Sequence, residues 1–593
     1  MNRKAKCLLL SLLAAPAVFF GCSARQTVSS PPGPKASLIA ARTPERAPAQ
    51  FTDITDQAGI HFVHDNGAFG KKWMPETTGG GGAFLDYDRD GKEDILLVNS
   101  GQFAAPAATS TYKTRDTRSR VTLYHNRGDG TFEDVTAKAG LRVDGYGQGV
   151  CVGDYDNDGW DDIYITCLGP NHLFRNRGDG TFEDVTARAG VPGMKVNGGL
   201  KWKWSSSCAW IDYDRDGYVD LFVCNFVEWS PELDVFCGNK GGKKDYCAPD
   251  AYKPLPNTLY HNNHNGTFTD VSVRTQVSEY LGKAWGIAAW DFNGDGWPDI
   301  AIANDRQPNT FFINHEGKYF TEEAVQVGIA LSESGHPKSG MGIDVADWNN
   351  DGRDALFIGN FSNEKLSLFT PDVPGMMTDM ADRTGIGQPS LLFLTFGCFF
   401  FDYDLDGWQD AFAANGHIQE FVEEFNTGIT YKERPLLYHN LGNGTFAEVG
   451  EQSGQPLRAR YVLRGCAFAD IDNDGDLDIL TVENNGRARL WRNDLPRGHH
   501  WIRFHLMGRK SNRDGIGALI TVKAGGLKQR QWVKSGCSFL SQSSLKPTFG
   551  LGPAARVEEV EIQWPSGAKD VWPNLAPDTV YTVTEGQGAA PEN

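Results

Sequence analysis

Short apolar runs of four to eight residues recur along the chain, each cut off by a cluster of aspartate and glycine. A representative unit opens with "GVCVG" from Gly149, breaks at "DYDNDGWDD" and resumes as "IYIT" from Ile163. Runs this short, bounded by turn residues, predict strands. Two further runs follow, "LFRN" and "TFEDVT", separated by "RGDG". Asp-Gly and Asn-Gly tolerate the positive φ of a tight turn, so this pair predicts a β-hairpin. One unit therefore reads as four strands.

The aspartate cluster occurs seven times, from Asp86, Asp154, Asp212, Asp291, Asp347, Asp402 and Asp470, with starts 55 to 79 residues apart. Hairpin segments alternate with the clusters, as in "LYHNRGDGTFEDVT" from Leu123 and "LYHNLGNGTFAEV" from Leu437; the copy after Asp347 is degenerate. A repeat of this size dictates the architecture. Seven four-stranded units predict a seven-bladed β-propeller, which protects its sheet edges by radial repetition. The ends agree: "FTDIT" from Phe51 is a fourth strand without its first three, and "LWRN" from Leu490 is a third strand without its fourth. The first can complete the last blade and close the ring.

The clusters follow D-x-[DN]-x-D-G-x-x-D. Carboxylates at positions one, three and five of a tight loop converge, glycine at six permits the turn, and the aspartate at nine closes the site from the next strand. All-oxygen donors in this number suit Ca²⁺, which takes 6–8 oxygens; Mg²⁺, with its bound waters, fits less well. An EF-hand is excluded, because the first copy has Leu97 where that motif needs a glutamate. The bland alternative, a polar turn without metal, leaves the carboxylates to repel each other.

The candidate ligands are Asp86, Asp88, Asp90 and Asp94; Asp154, Asp156, Asp158 and Asp162; Asp212, Asp214, Asp216 and Asp220; Asp291, Asn293, Asp295 and Asp299; Asp347, Asn349 and Asp351; Asp402, Asp404, Asp406 and Asp410; and Asp470, Asp472, Asp474 and Asp478. The fifth set has Ala355 at position nine and is expected to be weakest or empty, so five to seven ions are expected. In this reading the carboxylates are folding ligands.

The formal charge of −18 over 593 residues argues against nucleic acid and anionic lipid surfaces as partners and fits a protein that holds cations. The N-terminus carries Arg3, Lys4 and Lys6 ahead of an apolar stretch from Leu8 to Phe20. That predicts an export signal over residues 1–21, too short to span a bilayer. "VFFGC" is similar to a lipoprotein cleavage site that would leave lipid on Cys22, although Phe19 and Phe20 depart from the usual residues; plain secretion is the alternative. If lipidated, Ser23 after Cys22 implies outer-membrane delivery, facing the periplasm or the cell surface. Residues 22–50, rich in Ser, Pro and Ala, read as a flexible tether. Cys237 and Cys247 flank a polar Gly/Lys loop and predict a disulfide, whereas Cys151, Cys208, Cys398 and Cys466 read as small core residues.

The aspartate loops with their strands resemble the FG-GAP/VCBS repeats of integrin-type propellers. The C-terminal blocks "HHWIRFHLMG", "SNRDGIGALITV", "GCSFLSQ", "TFGLG" and "EIQWPSG" resemble the ASPIC/UnbV domain. Together they are similar to bacterial members of the cartilage acidic protein family over about residues 51–588; "NGHI" at Asn415 is shared by that family. The resemblance implies a calcium-binding extracytoplasmic protein and no defined activity. Read on its own, the tail alternates apolar and polar residues and predicts a small β-sandwich-like domain over 499–588, after a propeller over 51–495. The expected fold class is thus all-β.

Other motifs carry less. Arg127-Gly128-Asp129 and Arg177-Gly178-Asp179 occupy hairpin turns where other copies have "NHNG", so turn chemistry accounts for them. His417, Arg513, Asp514 and Trp564 are read as packing or turn residues before any ligand role. The leading function is a calcium-rigidified binding or scaffold module for a protein or polysaccharide. The alternatives are an extracytoplasmic enzyme, with its site in the propeller funnel or at the junction with the tail, and a purely structural surface component. An acidic, histidine and aromatic cluster in the funnel, away from the loops, would favour the enzyme.

Overall fold

Each aspartate cluster forms the turn between the first two strands of a four-stranded antiparallel sheet. The computed structural model describes residues 50–101, 120–193, 203–238 and 242–592. The expected signal segment, Cys22 and all of the tether but Gln50 lie outside the described residues.

Among the described residues seven such sheets follow one another, with first strands Gly82–Leu85, Tyr146–Gly153, Ser205–Ile211, Ala284–Trp290, Ile343–Ala346, Thr395–Phe401 and Leu463–Ala469. Consecutive first strands touch, and the last touches the first, so the sheets form a closed cycle. Second strands such as Asp162–Leu168 are buried along their whole length because a sheet packs on each face. That is why they are continuous apolar runs rather than alternating ones. Even the degenerate segment of the fifth sheet forms its hairpin, Ser367–Val373 with Met376–Asp379. The cycle closes as the offset ends predict: Phe51–Asp53 pairs antiparallel with Ala488–Asn493, Phe51 opposite Asn493.

The C-terminal segment forms two further four-stranded sheets. One contains a parallel pair, His500–Met507 with Thr579–Thr584; the other is built on Leu519–Ala524 and Val557–Gln563. Their core (Ile502, Phe504, Ile520, Val560, Ile562) runs without a break into Tyr155 and Trp210 of the second and third sheets. Residues 46–593 accordingly form one compact unit.

One loop of this segment changes the picture of the channel. Residues 533–547 leave Leu527–Trp532 and enter the middle of the ring before returning as Thr548–Gly552. The Gln542 amide N–H donates to the Gly82 carbonyl at 3.1 Å, and the Val150 N–H donates to the Leu540 carbonyl at 3.2 Å. The Leu540 N–H donates to Ser207 Oγ at 3.1 Å, and the Ser544 N–H donates to the Phe468 carbonyl at 3.1 Å. Phe539 packs its ring against Trp285 and Phe396, with centroids 5.2 and 5.0 Å away. The centre of the ring, where the enzyme alternative would put its site, is therefore filled from the aspartate-loop side. Close approach requires glycine on the wall: a Cβ at Gly81 would lie 1.6 Å from the Leu540 oxygen.

Candidate functional site

The seven loops share one hydrogen-bond plan. The position-one carboxylate accepts the N–H of positions five and six on separate oxygens, as at Asp86, with Asp90 at 3.0 Å and Gly91 at 3.1 Å. The same pair recurs at Asp154, Asp212, Asp291, Asp347, Asp402 and Asp470. Position nine accepts from the residue after position one and from the third strand; Asp162 takes Tyr155 N–H at 3.2 Å and Asn176 N–H at 2.7 Å. Glycine at six is left-handed, as expected, and so is position four: Arg89, Asn157, Arg215, Asn350, Leu405 and Asn473 all have φ of 55–59°. A left-handed non-glycine residue is costly and persists where surrounding contacts over-determine it.

These constraints bring the carboxylates together. Asp86, Asp88 and Asp94 place ligand atoms within 4.8 Å of one another, as do Asp154, Asp156 and Asp162. The position-three oxygens Oδ1 of Asp88, Asp156, Asp214 and Asp404 are buried and have no hydrogen-bond partner. Buried polar atoms are almost always paired, so four orphans at one repeated position fit a cation there. The electrostatics agree. Burial, and then the neighbouring aspartates, push the Asp94 and Asp299 carboxyls up to about 9 and about 8. Asp162, Asp212, Asp220, Asp402, Asp410 and Asp478 are raised for the same reasons. A divalent ion would remove this cost.

The fourth and fifth loops differ. Their Asn293 and Asn349 amides donate to Asp295 and Asp351 at 2.9 and 3.1 Å, satisfying those carboxylates internally. In the fifth, the carboxylate at position eight, Asp354, points to the C-terminal domain, where Trp532 Nε1 donates to it at 3.0 Å and Arg530 pairs with it.

In the sequence the asparagine of "LYHN" is one more hairpin residue; in the fold it reaches to the neighbouring sheet. Asn126 Nδ2 donates to the Ile471 carbonyl of the preceding sheet's loop at 2.8 Å. Asn176, Asn262, Asn314, Asn440 and Asn493 make the corresponding bond to Tyr87, Tyr155, Tyr213, Trp348 and Tyr403. The signal was present in the sequence as an invariant offset from each turn.

The C-terminal domain sits on the loop face. Asp514 accepts the Asp154 N–H at 2.7 Å, and Asn157 accepts the Arg513 N–H at 2.9 Å. Arg503 pairs with Asp470, Lys534 with Asp344, and Lys546 lies 3.4 Å from both Asp86 and Glu93. Arg513 and Asp514 are thus docking residues. Trp564 is buried, with Nε1 donating to Asp570 at 2.8 Å. A polar cavity of about 420 Å³, lined by Asp86, Asp161, His505, Lys546 and Glu592, remains between the parts. Cys237 and Cys247 are joined in a disulfide, with Cα atoms 5.2 Å apart, and the seven other described cysteines are buried thiols.

At the opposite mouth of the channel Arg464 is wholly buried, its guanidinium 3.9 Å from the Phe396 ring. It donates to the Thr77, Gly416 and Leu463 carbonyls at 2.6–2.9 Å, tying the first, sixth and seventh sheets. Burial holds nearby His64 and His417 neutral, down to about 3 and about 4. His64 pairs with Ser100 at 3.0 Å, but its Nδ1 accepts the Asn485 N–H at 3.2 Å, so Nε2 carries the proton and donates. The pair is not arranged as nucleophile and base.

The repeated loops match the FG-GAP-like repeat family over residues 86–165, 158–223, 232–302, 291–358 and 402–481, more than half of the chain. The chain belongs to the FG-GAP repeat family. Residues 508–590 match the ASPIC and UnbV family. The FG-GAP chain is 23% identical to cartilage acidic protein 1 of Xenopus tropicalis over 501 residues, 82% of this chain and 61% of that protein. It is 24% identical to the Homo sapiens protein over 566 residues, 91% of this chain and 76% of that one. It thus spans less than two thirds of the Xenopus relative. A solved lectin of Agrocybe aegerita, described as recognising non-reducing terminal N-acetylglucosamine, is a distant likeness: 16% identity, TM-score 0.33, covering 62% of this chain and 79% of that one. No helix among the described residues is long and apolar enough to cross a membrane.

Proposed function

We propose that the protein is an exported binding or scaffold module: a seven-bladed propeller rigidified by Ca²⁺, held to the outer membrane by lipid on Cys22, that presents its rim to a protein or polysaccharide. The filled channel carries this reading, because the buried loop Cys537–Ser543 removes the interior as a reaction chamber and leaves the outer loops to recognise partners. The polar residues that recur in every repeat serve cation, turn or sheet-to-sheet link. Five to seven ions are proposed, with the Asp347 site the weakest. The deciding experiment is capture of glycans and cell-envelope extracts by the folded chain from Ser23 onward, in Ca²⁺ and again in chelator. Capture only with Ca²⁺ supports the module; none in either condition counts against it.

One observation favours a second reading, an enzyme at the domain junction. In the 420 Å³ cavity burial raises Asp161 to about 8 beside the half-buried cation Lys546, a combination found at reactive sites. Turnover lost in Lys546→Met, with the fold and metal content intact, would support it.

A further inference from the structure

The residue before each linking asparagine in the third strand varies, and where it is His125, Arg175, His261 or His439 it faces the aspartate loop of its own sheet. It is His125, His261 and His439 in the first, third and sixth sheets, Arg175 and Arg492 in the second and seventh, and Ile313 in the fourth. In the second sheet the arginine is an ion-pair partner: Arg175 Nε lies 2.5 Å from Asp156 and its Nη2 2.6 Å from Asp158. Those are direct hydrogen-bond lengths.

The histidines stand farther off, and of the three only His261 has a hydrogen bond to its loop, from Nδ1 to Asp220 Oδ1 at 3.2 Å. His439 Nδ1 lies 3.3 Å from Asp404 Oδ2 and 3.4 Å from Asp410 Oδ1. His125 Nδ1 is 3.4 Å from Asp88 and 3.3 Å from Asp94, and His261 Nδ1 is 3.3 Å from Asp214 and 3.2 Å from Asp220. His125 Nδ1 and His439 Nδ1 are buried without a hydrogen-bond partner, and so is Oδ1 of Asp404, a residue only 2% exposed. Donor atoms bound to one octahedral ion at ~2.1–2.4 Å stand about 3.0–3.4 Å apart along each edge. The nitrogens therefore sit at ligand-to-ligand spacing from two carboxylates each. Three clusters with these histidines keep their ligand atoms within 4.8 Å of one another.

We propose that the loops of the first, third and sixth sheets are mixed nitrogen and oxygen sites, in which His125, His261 and His439 ligate a divalent first-row metal in preference to Ca²⁺. Ca²⁺ takes oxygen donors, whereas imidazole adds affinity for borderline ions such as Zn²⁺; Mn²⁺, though harder, accepts an imidazole beside carboxylates and serves as the paramagnetic probe. The second and seventh loops, with arginine in this place, keep oxygen donors only. The protein then carries two kinds of cation site on one repeated scaffold. This inference rests on the reading of the loops as metal sites.

The test uses the full chain, stripped by chelator and loaded with Mn²⁺. Bound manganese per chain is measured first. Pulsed electron paramagnetic resonance then reads coupling to a directly bound imidazole nitrogen. We expect the coupling in the wild type and its loss in the combined variant His125→Gln, His261→Gln, His439→Gln, with far-UV circular dichroism unchanged. Dialysis against equal Ca²⁺ and Zn²⁺ should leave about three zinc ions on the wild type and at least tenfold less on the variant. Arg175→His should add one nitrogen-coupled site and is read even if the triple variant misfolds. Bound manganese without nitrogen coupling, or coupling that survives the triple substitution, overturns this inference alone. Absence of bound manganese and calcium overturns the metal reading with it.

Discussion

Ser538 and Ile343 exchange two main-chain hydrogen bonds, Ser538 N–H to the Ile343 carbonyl at 2.7 Å and Ile343 N–H to the Ser538 carbonyl at 3.1 Å. A loop of the C-terminal domain thus pairs with the first strand of the fifth sheet as if it were an eighth element of the ring. The loop is structural, so its removal should be felt by the propeller. Phe539→Ala deletes a ring buried against Trp285 and Phe396 and should cost about 3–5 kcal/mol. Gly81→Ala should be at least as damaging, since it drives a methyl group into the Leu540 carbonyl. Denaturant titration checks both.

The raised carboxyls set a pH dependence for the metal-free protein. Asp94 is held at about 9 in the folded state, chiefly by burial, against 3.8 for a free aspartate, and Asp154 also reaches about 9. Between these limits the native chain keeps protons that the unfolded chain releases. Stability in chelator should therefore fall as pH rises from about 4 to about 9. With Ca²⁺ present the cation replaces the proton and the trend should reverse. Thermal unfolding across pH, with and without chelator, measures the two slopes.

The loops should not be equivalent. If the loops hold metal as proposed, Asp94→Asn removes a charged candidate ligand at position nine of the first loop and should lower bound metal by about one ion per chain. Asp347→Asn should leave the count unchanged, because the fifth loop has Ala355 in place of that ligand and Arg530 already faces Asp347 at 3.5 Å. Equilibrium dialysis with metal analysis separates these outcomes.

Asn126→Ala leaves the Ile471 carbonyl without its amide donor and should destabilise by about 1–3 kcal/mol. The loss should appear as faster amide exchange in Ile471–Asp478, on the neighbouring sheet, rather than at the substituted strand alone.

Most of the ring was legible because it is local and repeated. The turn residues of each unit announce its four strands, and the offset ends at Phe51 and Leu490 announce the closure. The carboxylates converge because one hydrogen-bond plan is written seven times. What could not be read depends on unlike segments meeting. Nothing in "GCSFLSQ" marks it as the filling of a channel, since its partners Ile343, Val150 and Gly82 lie 195, 390 and 460 residues away in the chain. The asparagine links and the histidines were visible as letters at fixed offsets. Their direction follows from strand pairing in space, which an apolar pattern does not encode.

The closing strand has a consequence for how the chain is made. Thr52 and Asp494, bonded across the seam, are 442 residues apart. At ~5–20 residues per second of synthesis, the first strand waits roughly 20–90 s for its partner to exist. Throughout that time every partly made ring has two bare edges, one at each end of the growing stack, and the loop that fills its middle comes later still. Such non-local pairing is slow, so the nascent chain must be kept from sticking to its neighbours until the last sheet is complete.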